Sequence, residues 1–275
     1  MDILVTGANG YLGKGIVEEL LNLDHQVMAA DYSTENIDDR AKKCCVDIFN
    51  IEDPYLYFEK PDVVLHLAWK NGFVHNADNH IKDIYFHDKF LKDMIDGGVN
   101  TMCIMGSMHE IGFYEGSIDE HTPCKPMNMY GIAKNALRQS IELYAAEKNV
   151  NFIWLRGFYI VGTDVKGNSI FSKIAAANEK GQEEFPFTMG LNQYDFLDYK
   201  DFCVQTAKAV TQSKETGIIN ICSGRPETLA SRVERFIKEN NYNIKLKYGA
   251  FPDRKYDSKA IWGDSRKIER ILSNN

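Results

Sequence analysis

Apolar and polar positions follow two periods along the chain, and their succession predicts strands and helices in alternation. Residues 2–6, with Ile3, Leu4 and Val5, form a short apolar run that stops at Gly7. Ile16, Val17, Leu20, Leu21 and Leu23 then recur at helical spacing and give one apolar helix face. Residues 25–31 supply a second strand ending in Asp31, and residues 43–46 a short third. Helix formers from Glu52 to Glu59, entered through Asp53-Pro54, fit a short crossover helix. Val63 to Ala68 is a continuous apolar strand of the type covered on both faces. A long helix over 80–97, stopped by Gly97-Gly98, leads to a fifth strand at 101–105. A helix from Tyr130 to about Lys148 and a sixth strand at 151–156 follow. Beyond them the pattern predicts a helix over 169–180, an aromatic loop at Phe185-Pro186-Phe187, a helix over 202–212 and a strand at 217–222. A helix to about Lys238 and a short strand at 245–248 close the series. Strands alternating with helices predict a doubly wound parallel α/β sheet, whose ligands bind where the strands end.

Composition changes this picture little. The 275 residues are 44% hydrophobic, enough for one large domain or a large one with a smaller companion. A net charge of -7 gives a nucleic-acid partner no electrostatic support. No signal-like segment is expected, and no apolar run reaches the roughly 20 residues a membrane span needs. The six cysteines are scattered apart from Cys44-Cys45, without a CxxC pair. Free thiols in a reducing cytoplasm are therefore expected, and no metal site.

Candidate chemistry gathers at strand ends. Gly7, Gly10 and Gly13 punctuate the turn between the first strand and the first helix, with Asn9, Tyr11 and Leu12 between them. Such a turn brings backbone close to a pyrophosphate and aims helix N-terminal amides at it. Asp31 lies about 20 residues beyond the turn, where a carboxylate accepts both ribose hydroxyls and repels a 2′-phosphate. NAD(H) is thus favoured over NADP(H), which nearby Arg40 keeps open. Tyr130 and Lys134, four apart on a helix, project from one face. An ammonium near a phenol stabilises the phenolate and brings proton transfer toward neutral pH. A half-buried tyrosine beside a snorkelling lysine is the plainer alternative for the pair alone. Ser107, emerging from the fifth strand, can hold a substrate oxygen beside the phenol.

In this order the motifs resemble the NAD-dependent epimerase/dehydratase family of extended short-chain dehydrogenases/reductases, and the resemblance covers essentially the whole chain. It implies a Rossmann-type sheet with a small C-terminal substrate-binding lobe. Residues 1–163, with 191–223 returning, would bind NAD; 164–190 and 224–275 would form the lobe. It implies adenosine contacts at Asp31 and at Asp47-Ile48, and a fourth-strand loop at His66-Leu67-Ala68 running beneath the cofactor. Ser107 would polarise the sugar oxygen, Tyr130 exchange its proton, and Lys134 contact the nicotinamide ribose while lowering the tyrosine pKa. A nucleotide-sugar substrate and a homodimer built on helices 80–97 and 130–148 are further implications.

Departures narrow the reaction. Family dehydratases place an Asp-Glu pair after the catalytic Ser or Thr, whereas this chain has Met108-His109, so dehydration is disfavoured. His109 is a candidate substrate-side acid or simply a polar loop residue. Tyr159 occupies the usual place of a phosphate-binding Asn, and Tyr194 that of an arginine. Arg254 is the first choice for the substrate diphosphate, with Arg225 and Arg156 behind it. The expected function is NAD(P)(H)-dependent 4-ketoreduction of a nucleotide 4-keto-6-deoxyhexose. The alternatives are a 4-epimerase holding its NAD tightly and, from another class, a non-catalytic NAD-sensing protein.

Overall fold

The computed structural model describes residues 1–163, 169–252 and 258–273. In chain order the elements begin with β1 (Asp2–Thr6), α1 (Tyr11–Asn22), β2 (Gln26–Asp31), β3 (Lys42–Cys45), α2 (Pro54–Tyr57) and β4 (Val63–His66). They continue through α3 (Asn79–Lys82), α4 (Ile84–Gly97), β5 (Thr101–Ser107), β6 (Gly116–Ile118), α5 (Met129–Lys148), β7 (Asn151–Gly157) and β8 (Tyr159–Val161). The last third carries α6 (Ile170–Glu179), β9 (Glu184–Pro186), β10 (Gln193–Asp198), α7 (Tyr199–Thr211), β11 (Gly217–Ile221) and β12 (Pro226–Thr228). It ends with α8 (Leu229–Glu239), β13 (Lys245–Lys247), β14 (Ala260–Gly263) and α9 (Arg266–Ser273).

Seven strands form one parallel sheet in the order β11-β7-β5-β4-β1-β2-β3. The chain reverses its strand order between β1 and β4, the switch point at which such sheets bind ligands. Side-chain alternation splits the core in two. Ile3 and Val5 pack with Ile16, Leu20, Phe202 and Ile219 on the α1/α7 face. Leu4, Val64 and Ile104 pack with Leu91, Met94, Leu137 and Ile141 beneath α4 and α5. All four β4 residues are buried, as a strand covered on both faces requires.

The remaining strands form smaller sheets outside the seven-stranded one. β10 pairs antiparallel with β12 and in parallel with β14 and β8, while β14 pairs with β6. Fully buried Asp195 of β10 accepts hydrogen bonds from the amides of Ser223, Gly224 and Gly263 and from the Ser223 hydroxyl, at 2.7–3.1 Å. One carboxylate thereby ties the turn after β11 to β10 and β14.

Local differences from the sequence reading have tertiary causes. The helix expected over 80–97 divides at Asp83, which ends α3 and begins α4 and takes a hydrogen bond from Asn79 at 3.2 Å. Residues 184–186 are strand rather than loop because β13 pairs with them. β6 exists only through β14, some 140 residues away in sequence. β5 runs on to Ser107 because Gly106 and Ser107 find partners in Arg156 and Gly157 of β7.

Candidate active site

The glycine turn closes against the end of β4. Gly7 sits at φ +71°, a left-handed conformation that favours glycine, and its amide donates to the Ala30 carbonyl at 2.9 Å. A Cβ there would lie 2.6 Å from the Ala68 nitrogen, so Leu67 and Ala68 press directly on the turn. Gly13, buried in the first turn of α1, has no room for a Cβ beside the Gly7 carbonyl and Ala8. Gly10 caps α1 without a side-chain acceptor, and the first turn of that helix, with Tyr11 and Leu12, has no acidic residue. The arrangement leaves a helix N-terminus and close backbone facing the same edge, which fits a dinucleotide pyrophosphate.

Asp31 ends β2 beside this turn and accepts from the amides of Asn9 at 2.9 Å and Tyr32 at 2.7 Å. The Tyr32 hydroxyl reaches the Asp47 carboxylate at 3.1 Å. Ile48 points into the core at 6% exposure, so only its backbone is available to a ligand. Arg40 is engaged by Asp38 in a forked pair and by Asn22 at 3.0 Å. The basic group that kept NADP(H) open is thus already paired.

Ser107, the last residue of β5, is 8% exposed. Its hydroxyl accepts from the His109 amide at 3.3 Å and lies on the side of the Tyr130 phenol, whose ionisation it favours. Asn128 caps α5 by accepting from the Gly131 amide at 2.8 Å, which presents Tyr130 in the first turn. Lys134 lies one turn on, buried, with Nζ donating to the Met105 carbonyl at 2.8 Å. That Nζ is 3.9 Å from the Trp69 ring centroid but 6.0 Å from the centroid of Tyr130. Burial, aided by the Glu110 charge, holds the Tyr130 phenol above its usual range, with only Ser107 opposing. Burial also depresses Lys134 to about 7, against the attraction of Glu110.

Four rings surround Tyr130, with centroids at 5.3 Å (His80), 5.8 Å (His75) and 6.0 Å (Trp69 and His109). His75 and His109 lie 4.2 Å apart. Burial lowers both imidazoles, His109 to about 4, so they stand neutral beside the phenol at neutral pH. Trp69 donates to His80 Nδ1 at 3.0 Å, which leaves the His80 proton on Nε2 toward the Val74 carbonyl. Thr6, His66 and His87 form a buried hydrogen-bonded row behind Trp69. Trp69, His75, His80 and His87 were missed in the sequence reading. Five of seven histidines converge here from separate segments, and only the fold reveals it.

Glu110 was missed too, although Ser107-x-x-Glu110 has capping-box spacing. Its fully buried carboxylate accepts from the Ser107 amide at 2.6 Å and from Trp154 Nε1 at 3.0 Å, and lies 3.6 Å from Arg156. Arg156 is fully buried in that pair and donates to the Asp119 carbonyl at 3.0 Å. This corrects its candidacy for the substrate diphosphate, because the guanidinium has no open face. Arg225 is exposed and lines a cleft of about 290 Å³ with Leu197, Asp201, Gln205 and Ser223. Tyr159 packs against Tyr194, with centroids 4.6 Å apart and planes tilted by 45°, at the edge of the core formed with Phe171, Phe196 and Phe236. Arg254 lies outside the described residues.

A dinucleotide-shaped cradle beside a Ser–Tyr–Lys cluster, on the ligand edge of a doubly wound sheet, defines an oxidoreductase of the short-chain dehydrogenase type. The chain belongs to the NAD dependent epimerase/dehydratase family, whose model matches residues 3–222. Among characterised relatives, dTDP-6-deoxy-L-talose 4-dehydrogenase (NAD(+)) of Aggregatibacter actinomycetemcomitans is 44% identical over 269 residues, 96% of this chain and 99% of that protein. The structure of Thermotoga maritima UDP-glucose 4-epimerase with UDP-glucose superposes with a TM-score of 0.82 at 22% identity, covering 98% of this chain and 92% of that one. Bacillus cereus UDP-glucuronic acid 4-epimerase, in complex with UDP-glucuronic acid and NAD, gives 0.80 at 19%, covering 100% and 94%. At these identities the two structures speak for the fold alone.

Proposed function

We propose that this protein is an NAD(H)-dependent oxidoreductase that interconverts the ring C4 ketone and alcohol of a nucleotide-linked 6-deoxyhexose, working as a 4-ketoreductase. The observation that carries the reading is Ser107 at the Tyr130 phenol beside buried Lys134, in a chain 44% identical to a dTDP-6-deoxy-L-talose 4-dehydrogenase. A dTDP-linked sugar is accordingly the first substrate to test.

The pyrophosphate of NAD(H) would lie on Gly7, Asn9, Gly10, Tyr11, Leu12 and Gly13. Asp31 would take the adenosine ribose, Asp47 and the Ile48 backbone the adenine side, and Leu67 and Ala68 the floor. Bound NADH supplies the hydride that reduces the C4 carbon. Tyr130 donates its phenolic proton to the C4 oxygen as the carbonyl becomes a hydroxyl, and Ser107 hydrogen-bonds that oxygen. Lys134 holds the ribose and later helps restore the phenol proton. A phenol held above its ordinary pKa is protonated at neutral pH, which suits proton donation to a ketone. His109 and Tyr159 are assigned to the sugar side. Glu110 is the one carboxylate near Ser107 in sequence, and its complete burial removes it from an elimination role.

Residues 1–163 with 191–223 are read as the NAD-binding part, and 164–190 with 224–275 as the substrate lobe. α4 and α5 pack side by side and leave Tyr85, Phe86, Ile132 and Leu143 exposed, which supports a homodimer through these helices. Light scattering after gel filtration tests it. The six free cysteines suit the cytoplasm. Among the described residues no helix is long and apolar enough to cross a membrane.

The deciding experiment supplies NADH and a dTDP-4-keto-6-deoxyhexose and follows NADH absorbance with sugar analysis. One NADH consumed per alcohol formed is the expected result. Interconversion of C4 epimers with no added cofactor would instead make the protein an epimerase. NAD binding with no turnover of any nucleotide sugar would leave a sensor.

A further inference from the structure

The mechanism above uses Ser107, Tyr130 and Lys134 but leaves a buried charged pair directly behind them unexplained. Glu110 and Arg156 are both fully buried. Apolar side chains of similar volume often replace such a pair at no cost to stability, so stability alone is a poor reason for it. Its contacts are specific. One Glu110 oxygen accepts from the Ser107 amide at 2.6 Å, and both are within 3.0 Å of Trp154 Nε1. Gly106 is pressed against the same group: a Cβ there would collide with the Trp154 indole nitrogen and come 2.7 Å from Glu110. Ser107 closes the reciprocal half of the capping box by accepting from the backbone of His109. The serine that faces Tyr130 is therefore clamped from behind by one carboxylate.

We propose that Glu110, anchored by Trp154 and Arg156, is a positioning residue that fixes the Ser107 backbone and so aims the Ser107 hydroxyl at the Tyr130 phenol. This inference deepens the oxidoreductase reading and rests on it for the kinetic part of its test. A second consequence is electrostatic: the Glu110 charge opposes ionisation of Tyr130. The other groups facing Tyr130 are Ser107 from β5, His109 from the turn after it, Lys134 from α5, and His75, His80 and Trp69 from the segment after β4. Glu110 itself faces Arg156 and Trp154 of β7 and Arg138 of α5.

Two paired variants separate the clamp from the charge without stranding a buried guanidinium. Glu110→Gln with Arg156→Gln keeps an acceptor for the Ser107 amide and removes both charges. Glu110→Leu with Arg156→Leu removes acceptor and charges together. With NADH and the 4-keto sugar, the leucine pair should lose about 100-fold in kcat at little change in KM, the cost of a misaimed reacting group. The glutamine pair should recover at least ten-fold of that loss. In the cofactor-free protein, the Ser107 amide, followed by its nitrogen-15 signal, should exchange with solvent faster in the leucine pair than in the parent, and at the parent's rate in the glutamine pair. Equal kcat in folded leucine and glutamine pairs overturns the clamp, as does equal Ser107 amide exchange in the two. Should the leucine pair not fold, Glu110→Met with Arg156→Met takes its place in both comparisons. A parent that turns over no nucleotide sugar refutes the functional reading, while Ser107 amide exchange in the ligand-free proteins still decides this one.

Discussion

Replacing Lys134 with methionine should make the protein more stable and nearly inactive, and the stability gain should shrink as pH rises. Lys134 is 2% exposed and burial lowers its pKa to about 7, whereas in the unfolded chain it titrates near 10.4. Between these values the unfolded chain binds more protons than the folded one, so stability rises with pH at up to about 1.4 kcal/mol per pH unit. Below pH 7 the ammonium is charged in both states and its burial costs the fold about 4–5 kcal/mol. Methionine has similar length and no charge, but gives up the bond from Nζ to the Met105 carbonyl, worth about 1 kcal/mol. The Met variant should then be more stable by about 3 kcal/mol at pH 6, and by only about 1 kcal/mol at pH 9. Urea denaturation of the cofactor-free proteins at the two pH values, with unchanged m-values, measures this directly. An advantage that is the same at pH 6 and pH 9, or a variant less stable at pH 6, would refute a buried lysine with a depressed pKa.

Three further outcomes follow from the same geometry. Tyr130→Phe should lower kcat by about 10²–10⁴-fold, the usual contribution of a positioned proton donor, while calorimetry finds NADH affinity within a few-fold of the parent; parental kcat would end the assignment. Gly7→Ala should abolish cofactor binding and lower the melting temperature. Its methyl meets Ala68 at 2.6 Å, and the left-handed backbone adds about 1–2 kcal/mol; differential scanning fluorimetry with and without NAD reads both effects. Asp31→Ser should weaken NADH and strengthen NADPH binding, since the carboxylate that repels a 2′-phosphate is gone. An unchanged ratio of the two affinities would remove Asp31 from cofactor selection.

Much of the protein follows from local sequence. Apolar runs of four to six residues between amphipathic helices determine a parallel sheet, because only strands covered on both faces lack a polar side. Glycines at 7, 10 and 13 after the first strand, an acid closing the second and the Tyr130/Lys134 pair are read from spacing alone, and the fold brings them to one edge of the sheet. Other features needed the tertiary structure, because their partners are remote. β6 and β9 are strands only because β14 and β13 lie beside them. Arg156, a candidate anion ligand in sequence, is closed off by Glu110 from another segment. The state of Tyr130 and Lys134 is of the same kind. Tyr130 and Lys134 were placed by a four-residue interval, but their ionisation depends on Trp69, Met105 and Glu110 from other elements and on exclusion of water. Periodicity is written residue by residue into the chain, whereas desolvation and charge are properties of whatever the fold gathers around a group.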